Sequence, residues 1–468
     1  MVMLKPILLG LFACFAVAPA FAATPADPHD AKAREIYAKI IAFKTEVGQG
    51  QVPAMAAYLA GEFRAAGFPD ADIHIVPLGE TASLVVRYRG NGSGGKPIAV
   101  MAHMDVVTAK PEDWQRDPFK LIEENGFFFG RGTYDVKVGV ASLTSTFLRL
   151  KSEGFVPTRD LIIVFTGDEE TQQDTISDLV KHHRDLVDAE FALNSDAGGG
   201  KLDESGKPQI YNLQTAEKTY ASFELTTHNP GGHSSLPRKD NAIYELADAL
   251  KKVQAYRFPV MWNDTTLASF KVEADVTPGK LGEAMRKFAK NPKDRAAADV
   301  LYDSPTNVGK TRTTCVATLL RGGHADNALP QSATATINCR IFPGVAVDAV
   351  KQTLQGVVGP AVSIVTIGNP TSSDASPLRA DVLAAVTKTV HTLHPGVPIV
   401  PAQESGASDG LFFRSVGIPT YGVSETFIKD SDSFAHGLNE RLPVKSFYDG
   451  LQHWYILLKE LAGPHAAH

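Results

Sequence analysis

The stretch "LIIVFTGDEE" (residues 161–170) decides how the rest of the chain reads. Its first seven residues, Leu161 to Gly167, form an apolar run of strand length that ends in three consecutive acids, Asp168, Glu169 and Glu170. Such a run predicts a strand buried on both faces, of the kind that helices cover in α/β sheets. Carboxylates delivered side by side from its end are costly unless something compensates them. Either the acids lie in an exposed loop or they serve a metal ion.

Outward from this strand, strands and helices alternate. "KPIAVMAHMDVV" (96–107) and "FALNSDAGGG" (191–200) are strand-like, whereas "DPHDAKAREIYAKIIAFKT" (27–45), "VPAMAAYLAGEFRAAGF" (52–68) and "VGVASLTSTFLRLKSEGF" (138–155) are helical. This rhythm predicts an α/β domain with helices on both faces of a mostly parallel sheet. From about Tyr220 the order becomes β-α-β-β-α-β, from "ASFELTTH" (221–228) to "AVSIVTIG" (361–368), which is the ferredoxin-like arrangement. An extra stretch at 257–310, charged and helical in character, interrupts it after its first helix. The α/β rhythm then resumes through "RADVLAAVTKTVHTLH" (379–394) to the last helix, "VKSFYDGLQHWYILLKELA" (444–462). The expected organisation is a signal peptide at 1–22, one α/β domain at 23–217 and 371–468, and an inserted ferredoxin-like domain at 218–370.

The leader "MVMLKPILLGLFACFAVAPAFAA" has one Lys, a short apolar stretch and an A-x-A close at Ala20-Phe21-Ala22. That pattern predicts a cleaved secretory signal rather than a membrane anchor, and hence an exported protein, periplasmic or extracellular. The net charge of −6 gives no reason to expect nucleic acid or an anionic membrane as partner. Cys315 and Cys339 both fall in strand-like segments. A disulfide between them and two buried free thiols both fit the sequence.

The residues that bear chemistry cluster by position. "HMD" places His103 and Asp105 two apart at a strand end, on one face. An Asp beside a ligating His is its usual orienting partner. Asp135 in "GRGTYDVKVG" stands at a helix start, where a helix N-cap is the competing reading. Glu169 and Glu170, then Asp196 in "LNSDAGGG", sit at two more strand ends, and "DSFAHGLNE" supplies His436. Such positions share the sheet edge where open α/β sheets bind ligands. Two histidines and three carboxylates suit divalent zinc, with cobalt or manganese as substitutes. Five ligands exceed one tetrahedral ion and match two ions sharing a carboxylate.

With "NPGGHSS" (229–235), "NALPQSATATINCRIFPG" (327–344) and "SGASDG" (405–410), these motifs run in order through nearly the whole chain. The chain thereby resembles the di-zinc metallopeptidases that include glutamate carboxypeptidases, aminoacylases, carnosinase-type dipeptidases and succinyl-diaminopimelate desuccinylase. The resemblance implies His103, Asp135, Glu170, Asp196 and His436 as ligands of two zinc ions, with Asp135 bridging, Asp105 orienting His103, and Glu169 as general base towards a metal-activated water. It implies His233 as a transition-state donor on a lid. Asn327, Arg340 and Gly406 are the expected substrate contacts, the guanidinium suiting a terminal carboxylate. One departure is Val138, where the family usually has glycine after "DxK", with Gly139 one place later. The function implied is hydrolysis of an amide bond beside a free carboxylate, as carboxypeptidase or dipeptidase, with possible homodimerisation through the lid in relatives of this kind. An N-acyl-amino-acid amidohydrolase is the enzymatic alternative. A periplasmic solute-binding protein is the non-enzymatic one, though a binder has no need of this complete acid–histidine set.

Overall fold

A computed structural model describes residues 27–464, so the expected signal peptide lies outside the described residues. Strand Leu161–Thr166 is buried at every position and lies between strands Thr81–Tyr88 and Ile98–His103. Its side chains alternate between two cores. Leu161, Ile163 and Phe165 join the cluster that contains the helices Pro28–Ile41, Val52–Ala65, Lys137–Ser152 and Val444–Ala462. Ile162 and Val164 join a second cluster with Ile176, Leu179, Leu411 and Phe413 from the opposite face. A strand covered on both sides needs no polar face, which explains its unbroken apolar sequence.

The sheet has ten strands. Leu161–Thr166, Ile98–His103, Phe191–Asn194 and Thr420–Gly422 run parallel at its centre, so their carboxyl ends share one edge. Antiparallel pairings flank them, and the sheet is mixed outside its centre. Strands Pro208–Glu217 and Ile399–Glu404, absent from the sequence reading, extend the sheet as a parallel pair. The buried Gln214, Thr215 and Glu217 mask the first of these, and Pro401 disguises the second.

The chain leaves this sheet at Glu217 and enters a second at Thr219. The second sheet has the order Thr314–Gly322, Ser332–Ile341, Thr219–His228, Ser363–Ile367, antiparallel throughout. Helices Ala242–Ala255 and Val347–Val358 pack on it through Leu246, Ala249, Val350 and Leu354, in the expected βαββαβ order. Cys315 and Cys339 face each other in register and are joined by a disulfide, with Cα atoms 4.1 Å apart. The 257–310 stretch is helical, as expected, with helices Asp264–Val276, Gly279–Lys290 and Arg295–Tyr302 closing a core of their own around Phe270, Met285, Phe288 and Leu301. It is tied to the first sheet by Asn263 donating to Gln403 (3.2 Å) and by Gln403 donating to the Gly309 carbonyl (3.3 Å).

One core residue sets a measurable pH response. His453 is 1% exposed beside the Tyr211 ring, and its Nε2 has no partner. Burial, reinforced by the neighbouring His394, lowers its imidazole to about 3. In an unfolded chain it would titrate near ~6.5. Between these values the unfolded chain binds a proton that the folded one refuses, so stability drops as pH falls below that upper value. The linked slope is about 1.4 kcal/mol per pH unit. His453→Gln should flatten the acid limb of thermal stability between about pH 6.5 and pH 4; an unchanged slope would remove His453 as its source.

Candidate metal centre

The carboxyl ends of the central strands bring the five expected ligands together. His103 closes strand Ile98–His103, and Asp196 follows strand Phe191–Asn194 by two residues. Glu169 and Glu170 follow strand Leu161–Thr166. Asp135 is not a helix cap: the helix begins at Lys137, its N-cap is Val136, and no side chain caps it. Instead, Asp135 offers Oδ1 to His103 Nε2 at 3.2 Å and Oδ2 to His436 Nε2 at 3.1 Å. His103 Nε2 also lies 3.6 Å from Asp196, and His436 Nε2 lies 3.0 Å from Glu170. One carboxylate thus stands between two histidines. Ligand atoms on one tetrahedral ion, each ~2.1 Å from it, are about 3.4 Å apart, a spacing these contacts bracket. His103, Asp135 and Glu170 form one group able to hold a cation, and His103, Glu169 and Asp196 form another.

Electrostatics match the geometry. Burial opposes charge on His103, yet Asp196, Asp105 and Asp135 together raise its imidazole well above the usual range. The Asp135 and Glu170 carboxylates lift His436 to about 10. Burial pushes Asp196 up to about 6 and, with the charge of Asp196 added, raises Glu169 well above the carboxylate range. The donor types and spacing fit divalent metal.

The surroundings hold this set in place. The Nδ1 of His103 lies 3.0 Å from the Asp105 backbone carbonyl and 3.5 Å from its carboxylate. That carboxylate has a second task that the sequence did not reveal: it accepts from the backbone N–H of both Glu169 and Glu170, each at 3.1 Å. Asp168 is separate from the centre; its carboxylate accepts from the N–H groups of Asp174 and Thr175, in the first turn of the helix Asp174–His182. Gln173, in the left-handed region with φ 55°, donates to Glu169 Oε1 at 3.0 Å. At Gly139 a Cβ would lie 2.1 Å from Ser195 Oγ, so the helix behind Asp135 passes Asp196's neighbour closely only because glycine stands there. Val138 packs in the core.

Glu440 was also missed by the sequence reading. Fully buried, it accepts from Arg131 Nη1 at 2.6 Å and from the N–H groups of Gly132 (3.1 Å), Tyr134 (2.7 Å) and Asp135 (3.0 Å). Arg131 also donates to the His436 carbonyl at 3.4 Å. His436 itself is a non-glycine residue at φ 61°, a strained conformation found most often where function requires it.

Among the described residues, the expected substrate residues bond to neighbours other than the metal cluster. Arg340 donates to the Ser405 carbonyl at 2.6 Å, which brings it beside Gly406. His233 and Asn327 are joined to each other, through Ser234 N–H donating to the Asn327 carbonyl at 3.0 Å. The Nδ1 of His233 accepts from Ser235 N–H, and among the described residues no hydrogen bond or ion pair links either residue to the metal cluster.

Comparison with known proteins identifies the family. The chain is 27% identical over 381 residues to the N-fatty-acyl-amino acid synthase/hydrolase PM20D1 of Homo sapiens, covering 79% of this chain and 74% of that protein. A probable succinyl-diaminopimelate desuccinylase of Staphylococcus aureus is 29% identical over 293 residues, covering 62% of this chain and 64% of its own. Among solved structures, the M20 family metallo-carboxypeptidase Sso-CP2 of Sulfolobus solfataricus superposes with a TM-score of 0.68 at 17% identity, over 92% of this chain and 99% of that one. Human carnosine dipeptidase 1 superposes at 0.60 with 15% identity, over 92% and 98%. The family described as Peptidase family M20/M25/M40 matches residues 99–460, which take in every residue of the histidine–carboxylate cluster. The chain belongs to that family and is a metallohydrolase acting on amide bonds.

Proposed function

We propose that this protein is an exported di-zinc hydrolase that cuts an amide bond beside a free carboxylate, as a carboxypeptidase or dipeptidase. The observation that carries the reading is Asp135, which turns one carboxylate oxygen to His103 and the other to His436. His103 and Asp196 would hold one ion, Glu170 and His436 the other, with Asp135 shared. Cobalt or manganese would fill the same sites. Bound divalent ions lower the pKa of water towards neutrality and polarise a carbonyl.

The protein's own groups do the rest. Glu169, steadied by Gln173, takes the water's proton and returns it to the leaving nitrogen. His233 carries its proton on Nε2, because Nδ1 is engaged as an acceptor, and donates to the developing oxyanion. Residues 218–370 form a lid carrying His233, Asn327 and Arg340, so catalysis requires it to meet the metal edge. The open edge strand Thr314–Gly322 exposes Val316, Leu319 and Leu320, which supports homodimerisation through the lid. Export is supported by the leader and by the Cys315–Cys339 disulfide, which suits an oxidising compartment. No helix among the described residues is long and apolar enough to cross a membrane.

An N-acyl-amino-acid amidohydrolase is the second reading, favoured by the similarity to PM20D1. Both substrate classes place a carboxylate beside the scissile amide, where Arg340 and Gly406 would receive it with Asn327. A panel of dipeptides and N-acyl amino acids, assayed before and after chelation and zinc restoration, separates them. Hydrolysis indifferent to metal would end both readings. Arg340→Ala should raise KM for carboxylate-bearing substrates by about 10–100-fold, the worth of a charge-assisted bond of ~1.5–3 kcal/mol, with kcat much less affected. An unchanged KM would remove the clamp.

A further inference from the structure

Among the described residues three arginines are buried: Arg131, Arg312 and Arg414. Arg131 pairs with the buried Glu440, and Arg414 with the buried Glu217. Arg312, only 6% exposed, has no such partner. Its Nη1 donates to the Phe258 carbonyl at 2.8 Å; its Nε has no hydrogen-bond partner, as in the other two, but no carboxylate bonds its guanidinium. A buried guanidinium without a counter-charge is expensive, so its surroundings call for an explanation.

Arg312 lines a cavity of about 750 Å³ between the helix Ala242–Ala255, the 257–310 insertion and the start of strand Thr314–Gly322. Leu250, Val253, Phe258 and Val308 give it apolar walls. Tyr302 carries two guanidiniums over its ring, Arg257 at 4.1 Å and Arg312 at 4.9 Å from the centroid. The nearest carboxylate to this pair is engaged with the outer arginine, Asp299 lying 3.7 Å from Arg257. Lys218, outside the cavity lining, donates to the Arg312 carbonyl at 2.8 Å and adds no acceptor for the guanidinium. The volume is that of a small-molecule site, apolar with a few convergent polar groups. Its charge is the inverse of a carboxylate's.

We propose that this cavity binds an aliphatic carboxylate, with the chain against Val253, Phe258 and Val308 and the head group on Arg312 and Arg257. The site is distinct from the metal centre and does not depend on the catalytic reading. Thr314, in its wall, stands opposite Arg340 in the strand register, so an occupant lies within one strand of the substrate residues. A free fatty acid and an N-acyl amino acid share the required chemistry.

Calorimetric titration of the full, metal-loaded chain with octanoate, decanoate and dodecanoate tests this. Affinity should rise about fourfold per added methylene, the equivalent of ~0.8 kcal/mol each. Decanamide, which keeps the chain and loses the charge, should bind at least about tenfold more weakly. Arg312→Gln should cause a similar loss, Val253→Trp should abolish binding by filling the cavity, and Arg340→Ala should leave it unchanged. Comparing decanoate with N-decanoylglycine in a Glu169→Gln, Arg340→Ala background, where the substrate residues no longer clamp a carboxylate, identifies the source, the tighter ligand being the natural class. No binding at millimolar concentration, equal binding of decanamide and decanoate, or loss in Arg340→Ala rather than Val253→Trp would overturn the proposal.

Discussion

Glu169→Gln is expected to lower kcat by about 10²–10⁴-fold, the usual contribution of a positioned general base, while metal content stays that of the parent. The substitution is close to isosteric. The remaining amide oxygen still accepts from Gln173 Nε2, which now bonds Oε1 at 3.0 Å, so the side chain keeps its place. What it loses is the ability to take a proton. Burial and the adjacent Asp196 push the Glu169 carboxyl above its usual range, in the direction a base working near neutrality requires. Activity that needs Glu169 ionised is lost as pH falls through its pKa, so the residual activity of the variant should lack that acid limb. Metal analysis together with a pH–rate profile makes the check. Turnover within tenfold of the parent would remove Glu169 as base, and lost metal would make it a ligand instead.

The parts of this centre that were legible in the sequence are those that strand ends dictate. His103, Glu170 and Asp196 are each placed by a short, wholly buried strand, and such strands announce themselves as apolar runs. Their edge follows from parallel topology. Pro208–Glu217 was hidden for the opposite reason: its buried polar residues serve a network in which Glu217 holds Arg414 and Ser408 Oγ, and Ser408 in turn accepts from Asn194. Asn194 Oδ1 accepts the N–H of Asp196, so this strand supports an expected ligand without showing an apolar period. The cysteine pairing was equally beyond reach, because it depends on a register set by Ser332–Ile341 lying between two other strands. Roles carried by backbone donors leave no trace in residue spacing, as Asp105 and Glu440 both illustrate.

Glu440 therefore yields the sharpest test of how the centre is built. Its carboxylate collects three consecutive-turn N–H groups and one guanidinium with no solvent contact, and one of those N–H groups belongs to Asp135 itself. Four residues earlier in the chain stands His436, the other partner of the shared carboxylate. The Asp135 turn and the His436 loop, some three hundred residues apart, are thus pinned to a single side chain. Glu440→Gln replaces one acceptor oxygen with an NH₂ group facing donors and removes the counter-charge of Arg131. The cost of breaking a buried pair is about 3–5 kcal/mol of stability. Metal affinity should fall by about 10–100-fold, as when groups orienting ligands are lost. If Glu440 acts by positioning, excess metal should restore much of kcat in the folded variant. The Glu169→Gln variant, in contrast, should gain nothing from added metal. A folded Glu440→Gln protein with parental metal affinity would show that the two loops hold their ligands without it.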